Sequence, residues 1–262
     1  MQIDLSGLRA LVTGSTKGIG RAVAQKLAAS GAEVAINGRK AADVTDVIAQ
    51  IRKAVPHARL VAAPGDAATA AGVAAIIKAA GDVDILVNNV GIFEVKPAFD
   101  IPDEDWNRMF ETNVMSGVRF TRHYGARMKA KGYGRIVFIS SESGVQIPTE
   151  MIHYGFSKSA DLALMRGFAQ ALEDTGVTVN AVLPGPTRTE GVEAMFASMG
   201  QSLDDPGTAR NFIDSERPSS IIKRLITAEE IADAVAFLVS REAGAITGSP
   251  VRVDGGVVRS IT

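Results

Sequence analysis

The sequence predicts an α/β fold: a doubly wound parallel sheet of about seven strands, flanked by helices on both faces. Three observations lead there. Short β-branched runs alternate with longer, alanine-rich stretches of helical period. Most of the short runs are apolar throughout rather than alternating, which marks strands covered on both faces. The first run also passes through a glycine-rich turn directly into a helical stretch, the unit from which such sheets are wound.

The elements follow in order. RALVT (9–13) is the first strand, with a helix at about 18–30. EVAIN (33–37) precedes a helix at 42–54, and ARLVAA (58–63) one at 68–80. DILVNN (84–89) leads to a long helix at 103–130, and GRIVFIS (134–140) to another at 151–174. VTVNAVL (177–183) is the sixth strand, followed by a helix at 228–240 and by PVRV (250–253). Right-handed crossovers place these helices on both faces. Residues 186–226, rich in Gly, Ser, Asp and Pro, interrupt the alternation and are expected to form a mobile substrate flap. No repeat or linker divides the chain, so residues 1–262 are expected to be one domain.

Composition narrows the function. The net charge is −1 and the basic residues are scattered, so neither nucleic acid nor a polybasic membrane contact is expected. No apolar run approaches the ~20 residues that span a bilayer. The N-terminal MQIDLSGLRALVTG lacks a signal-peptide pattern, and a cytoplasmic location is expected. There is no cysteine, hence no disulfide or thiolate site. The three histidines show no ligand spacing, and no metal is expected.

LVTGSTKGIGRAVAQKLAASG (11–31) reads as strand, turn and helix. Backbone N–H groups and the helix dipole at such a turn favour an anion. Gly14, Gly18 and Gly20 allow a sharp turn and close approach to a pyrophosphate, and Ser15 and Ile19 belong to the same candidate cradle. The spacing is G-x-x-x-G-x-G, and no Gly-Lys-Ser/Thr follows, so it is not a Walker A loop. A ribose reader is expected where the second strand ends. That strand ends INGRK, with no carboxylate at Asn37 or Gly38 and with Arg39 following. A missing acid plus a guanidinium fits a 2′-phosphate, with Lys17 adding charge, so NADP(H) is favoured over NAD(H).

HYGFSKS (153–159) places Tyr154 and Lys158 on one helix face. Taken alone, the pair fits a solvated face as well as an acid beside its activator. Six motifs in one order decide the matter: TGSTKGIG (13–20), NNVG (88–91), Asn113, ISS (139–141), YGFSK (154–158) and PGPTRT (184–189). Together they resemble the short-chain dehydrogenase/reductase family, in its single-domain form, from about residue 5 to the VDGG at 253–256. Val90 stands where that family usually has Ala, a minor departure.

The resemblance implies a Rossmann-like fold and assigns roles. Tyr154 would be the general acid in ketone reduction and the base in alcohol oxidation. A free phenol ionises only near pH ~10. An ammonium ~5 Å away favours its phenolate by roughly 3 kcal/mol at an effective dielectric of ~20. Lys158 would supply that charge and bond the nicotinamide ribose. Ser141, at the end of the fifth strand, would hydrogen-bond the substrate oxygen, with Ser140 and Ser143 as rivals. Asn113 would open its helix locally and link Lys158 to solvent, or else be a plain polar helix residue.

Asn89 and Gly91 would lie along the adenosine ribose, though Asn89 fits a strand brace equally well. Asp66, with Ala67 beside it, would accept from the adenine amino group, or cap the following helix. Pro184, Gly185 and Thr187 would hold the nicotinamide end; as loop punctuation they would need no ligand. Helices 103–130 and 151–174 carry extra apolar residues, among them Met109, Phe110, Val114, Gly117, Phe120, Phe156, Leu164 and Phe168. Those residues, and the pairing of these helices in related enzymes, imply a homotetramer.

The expected activity is NADPH-dependent reduction of a carbonyl to a secondary alcohol, on a small hydrophobic ketone, a 3-oxoacyl thioester or a sugar. A nucleotide-sensing protein on the same fold is the alternative; it would have no use for the acid. A hydrolase would need a G-x-S-x-G elbow, which is absent from the sequence.

Overall fold

The computed structural model describes residues 3–261. Seven parallel strands form one sheet in the order β3-β2-β1-β4-β5-β6-β7. They are β1 (Arg9–Val12), β2 (Glu33–Ile36), β3 (Arg59–Ala62), β4 (Ile85–Asn88), β5 (Gly134–Ile139), β6 (Val177–Pro184) and β7 (Pro250–Val253). The helices are α1 (Gly18–Ala29), α2 (Ala41–Ala54), α3 (Ala70–Ala80), α4 (Asp103–Met109), α5 (Ser116–Lys131), α6 (Ile152–Ala171), α7 (Glu190–Ser198), α8 (Thr208–Glu216) and α9 (Ala228–Val239).

Successive side chains of a strand point to opposite faces, and here both faces are covered. Ala10 and Val12 pack with Val23, Leu27, Val44, Ile51, Ile231 and Val235, from α1, α2 and α9. Leu11, between them, packs on the other face with Val73, Ile76, Phe120, Tyr124 and Met165, from α3, α5 and α6. β5 and β6 are buried along their whole length, which is why they read as unbroken apolar runs. The edge strands β3 and β7 are only half covered.

The strand order reverses at β1, which has β2 on one side and β4 on the other. At that reversal the connections after β1 and β4 diverge to opposite faces and leave a crevice beyond the strand ends. The turn into α1 and the segment after β4 both open there.

The helix expected at 103–130 is interrupted at Asn113, where the resemblance implied a local opening: α4 ends at Met109, residues Phe110–Met115 form a π turn, and α5 follows. One expectation is corrected. The 186–226 region is not irregular throughout. It holds α7 and α8, with a small core of Phe196, Leu203, Ile213 and Leu225. The Phe196 and Phe212 rings meet edge to face at 5.2 Å. Among the described residues no helix is long and apolar enough to cross a membrane, and no acid or histidine cluster is placed to hold a metal.

Candidate active site

The glycine loop is held from three sides. Gly14 and Gly18 have φ of +63° and +52°, conformations that an L side chain strains. Gly14 N donates to Asn37 Oδ1 at 2.9 Å, and Asn37 Nδ2 reaches Ala63 O at 2.9 Å. The Asn37 amide N–H donates to Ser15 Oγ at 2.9 Å. Asn37 thus ties the loop to the ends of β2 and β3, a role that pattern reading did not find. Asn89 Nδ2 donates to Thr13 O and Gly14 O at 2.9 and 3.1 Å, so this side chain is a brace between β1 and β4. A Cβ on Gly20 would lie 2.4 Å from both Asn89 Nδ2 and Gly14 O. Ile19 packs on the core beneath the loop.

An anion already sits on this loop. Glu190 Oε2 accepts from Gly18 N at 2.8 Å, and its Oε1 pairs with Arg21 at 2.7 Å. The Gly18 amide therefore presents to an anionic oxygen, the chemistry a pyrophosphate needs. Lys17 and Arg39 are exposed beside it, at the entrances to α1 and α2. Asp66 is exposed, and its Oδ1 accepts from Ala68 N at 3.0 Å. The α3 N-cap is Thr69, whose Oγ1 accepts from Gly72 N, so capping is not the task of Asp66. Ala67 is buried beneath.

Tyr154 and Lys158 stand one turn apart on α6. Lys158 Nζ lies 6.0 Å from the Tyr154 ring centroid. It donates to Ile139 O at 2.8 Å and pairs with Asp161 Oδ2 at 3.1 Å. Burial alone would push the ammonium down; the Asp161 carboxylate and Tyr154 outweigh it, and the net direction is up. Phe93 meets Tyr154 edge-on at 6.3 Å.

The three serines differ in their commitments. Ser140 Oγ donates to Lys158 O at 2.8 Å, and Ser143 Oγ to Glu142 Oε2 at 2.8 Å. Ser141 Oγ accepts from Ser143 N at 3.1 Å, which leaves its own proton to give. The loop carrying it is locked onto α6, for Ser159 Oγ donates to Gly144 O at 2.7 Å. Glu142 is also held at 2.8 Å by Arg217, just past α8. This buried pair ties the 186–226 region to the Ser141 loop, a link that distant sequence positions concealed.

Asn113 is the centre of the π turn. Its Oδ1 accepts from Ile92 N at 2.8 Å and its Nδ2 donates to Ile92 O at 2.9 Å, as a neighbouring strand would. Nδ2 also reaches Ser157 Oγ at 2.9 Å. The side chain pins the segment after β4 to α6, which accounts for a local widening of the helix. Asn113 makes no direct hydrogen bond to Lys158 among the described residues. A Cβ on Gly91 would lie 3.4 Å from Lys158 Nζ and 3.7 Å from Asn113 Oδ1, so Gly91 keeps that side open. At the far end, a Cβ on Gly185 would lie 2.6 Å from Asp254 O. Thr187 Oγ1 donates to Gly185 O at 2.8 Å, and Pro184 ends β6.

A family model described as enoyl-(acyl carrier protein) reductase matches residues 14–258. An uncharacterised oxidoreductase of Bacillus subtilis is 47% identical over 263 residues, covering 100% of both chains. The 3-oxoacyl-acyl-carrier-protein reductase of Escherichia coli is 36% identical, over 97% of this chain and 99% of its own. The crystal structure of L-sorbose reductase from Gluconobacter frateurii, complexed with NADPH and L-sorbose, superposes with a TM-score of 0.90 at 28% identity, covering 100% of both chains. A family match of that extent, with relatives aligned along their whole lengths, shows that the chain belongs to the short-chain dehydrogenase/reductase family of oxidoreductases.

Proposed function

We propose that this chain is an NADPH-dependent oxidoreductase that reversibly reduces a ketone or 3-oxo group to a secondary alcohol, with Tyr154 as general acid and base. The observation that carries the reading is the arrangement on α6. A phenol stands beside a buried ammonium, next to a loop on which Ser141 keeps a proton to donate. Ser141 and Tyr154 would hydrogen-bond the carbonyl oxygen, and Tyr154 would hand it the proton as negative charge develops there. Lys158 would stabilise the phenolate left behind.

The nicotinamide, when bound, supplies the hydride. The residues fit such a group. Gly14, Ser15, Gly18, Ile19 and Gly20 offer a cradle whose Gly18 amide bonds an anionic oxygen. Lys17 and Arg39 would take the 2′-phosphate, Asp66 and Ala67 the adenine, and Pro184, Gly185 and Thr187 the nicotinamide end. Asn89 and Gly91 would border the ribose, Asn89 by bracing the loop. The relative solved with NADPH supports the same choice.

Beside Tyr154 the surface carries Phe93, edge-on to its ring, and Ile147, against Gly155, at 42% and 47% exposure. A panel of ketones, 3-oxoacyl thioesters and ketoses with NADPH, followed by nicotinamide absorbance, is expected to give turnover on at least one class. No turnover on any, with NADPH bound, would favour a sensor. The proposed location is the cytoplasm.

NADPH preference has its own test. Arg39→Ala is expected to lower kcat/KM for NADPH by about 10- to 150-fold, the worth of a charge-assisted phosphate contact, and to change NADH use little. Equal loss with both cofactors would refute the charge reading. The converse substitution needs help, because a Cβ on Gly38 would lie 2.4 Å from Thr16 Cγ2. Thr16→Ser with Gly38→Asp is expected to move preference toward NADH.

A homotetramer is part of the proposal. Met109, Val114, Gly117 and Phe120 are buried in their own chain, so they leave no surface for a partner. Phe110 and Phe156 are 38% and 47% exposed, and Trp106 lies 5.8 Å from the Phe156 ring. Light scattering at micromolar concentration is expected to give four chains, and Phe156→Glu a smaller species. A wild-type monomer would contradict it.

A further inference from the structure

Three residues beyond Lys158, on the same turn of α6, stands Asp161. The two side chains are 5% and 4% exposed, and Asp161 Oδ2 lies 3.1 Å from Lys158 Nζ. The other oxygen, Oδ1, is buried without a hydrogen-bond partner among the described residues. Burial pushes the Asp161 carboxyl up to about 6, with Lys158 pulling the other way. What accounts for the carboxylate is Lys158: an apolar residue at 161 would leave the buried ammonium without its charged partner.

A lysine ammonium has three N–H donors. Two are committed, to Ile139 O at 2.8 Å and to Asp161 Oδ2. Two fixed acceptors leave one direction for the third donor. On the open side lie Gly91, whose Cβ would come within 3.4 Å of Nζ, and the Tyr154 ring. The carboxylate also changes what Tyr154 faces: a buried ion pair rather than a bare cation.

Three carboxylates on segments packed against α6 pair elsewhere. Glu142 pairs with Arg217, Asp105 with Lys96 and Arg108, and Glu111 with Arg119. Arg135, on β5, donates to the carbonyls of Ser240, Gly134 and Gly176. His153, beside Tyr154, is held down toward the neutral form by burial. The charge acting on Asp161 is that of Lys158.

We propose that Asp161 is a positioning residue of this active site: its carboxylate anchors the Lys158 ammonium, offsets part of its charge, and so sets the pH at which Tyr154 exchanges its proton. The inference rests on the reading of Tyr154 as the acid and base. Through Lys158 Nζ, the carboxylate lies within about 9 Å of the Tyr154 ring. At an effective dielectric of ~20, one charge at that range moves a proton equilibrium by about one pH unit.

The test is a titration that needs no turnover. Tyrosinate absorbance is followed against pH in wild type, Asp161→Asn, Asp161→Ser and Asp161→Glu. Each is differenced against the same protein carrying Tyr154→Phe, which removes Tyr124 and Tyr133. Both neutral variants are expected to move the Tyr154 transition about one unit toward acid, and Asp161→Glu to restore most of it. The pH limb of kcat/KM, on whichever carbonyl the panel identifies, is expected to move with it. Melting and NADPH fluorescence report folding and cofactor binding. A folded, NADPH-binding Asp161→Asn or Asp161→Ser protein with an unmoved transition overturns the proposal. Failure of both neutral variants to fold assigns the carboxylate to stability and overturns it too. A Tyr154→Phe enzyme that still turns over would instead count against the acid/base reading, and the titration separates the two.

Discussion

Tyr154→Phe is expected to lower kcat by about 10²- to 10⁴-fold, the usual worth of a positioned general acid, while NADPH affinity stays within about threefold of wild type. The substitution removes one hydroxyl and keeps the ring. Phe93 would still meet that ring edge-on, and α6 would keep its packing. Lys158 would keep its bonds to Ile139 O and Asp161, neither of which involves the phenol. Lys158→Met is expected to behave differently. It removes the ammonium and strands the Asp161 carboxylate in the core, so it should lower kcat, NADPH affinity and melting temperature together. Pre-steady-state reduction with NADPH, beside NADPH binding by fluorescence, checks both variants. A Tyr154→Phe enzyme that kept more than about a tenth of wild-type kcat would require another acid.

The sheet was legible because its strands are buried on both faces. A run such as GRIVFI admits little besides an inner parallel strand, and β5 is covered along its whole length. The glycine loop and the Tyr154–Lys158 pair were legible because local spacing determines them. What escaped was long-range. The opening at Asn113 was implied by the resemblance alone; the bonds from Asn113 to Ile92, 21 residues away, around which the π turn forms, are encoded by no helical periodicity. Asn37 and Glu190 join segments that only the finished sheet brings together: Asn37 and the glycine loop are 23 residues apart, Glu190 and Gly18 are 172. The helices of 186–226 carried a signal that polar composition masked. Val192, Met195 and Phe196 share one face, as do Ala209, Phe212 and Ile213, at the spacing of a helix that buries a stripe.

The second large effect is expected from a single methyl group on Gly20. By helix propensity alone, Gly20→Ala in α1 should stabilise the chain by about 0.5–1 kcal/mol. Packing reverses the sign. The new Cβ would lie 2.4 Å from the Gly14 carbonyl oxygen and from Asn89 Nδ2, the two groups that fix the loop's shape. The carbonyl is backbone and has no rotamer in which to move aside, so the whole turn must shift. Overpacking of this kind costs about 1–3 kcal/mol, or roughly 3–10 °C in Tm for a chain of this size. The displaced amides would also miss their anion, and a shift of ~1 Å at such a site costs on the order of 10² in binding or rate. Gly167, in α6, is the control, because nothing lies within 4 Å of a Cβ built there. Gly167→Ala is expected to raise Tm slightly and leave NADPH binding unchanged. Calorimetry and NADPH titration of the two variants should give opposite signs in Tm and a large loss of affinity in Gly20→Ala alone. If Gly20→Ala melted higher and bound NADPH normally, the loop would have room that the Gly14–Gly20–Asn89 contact denies it, and the cradle would have to be sought elsewhere.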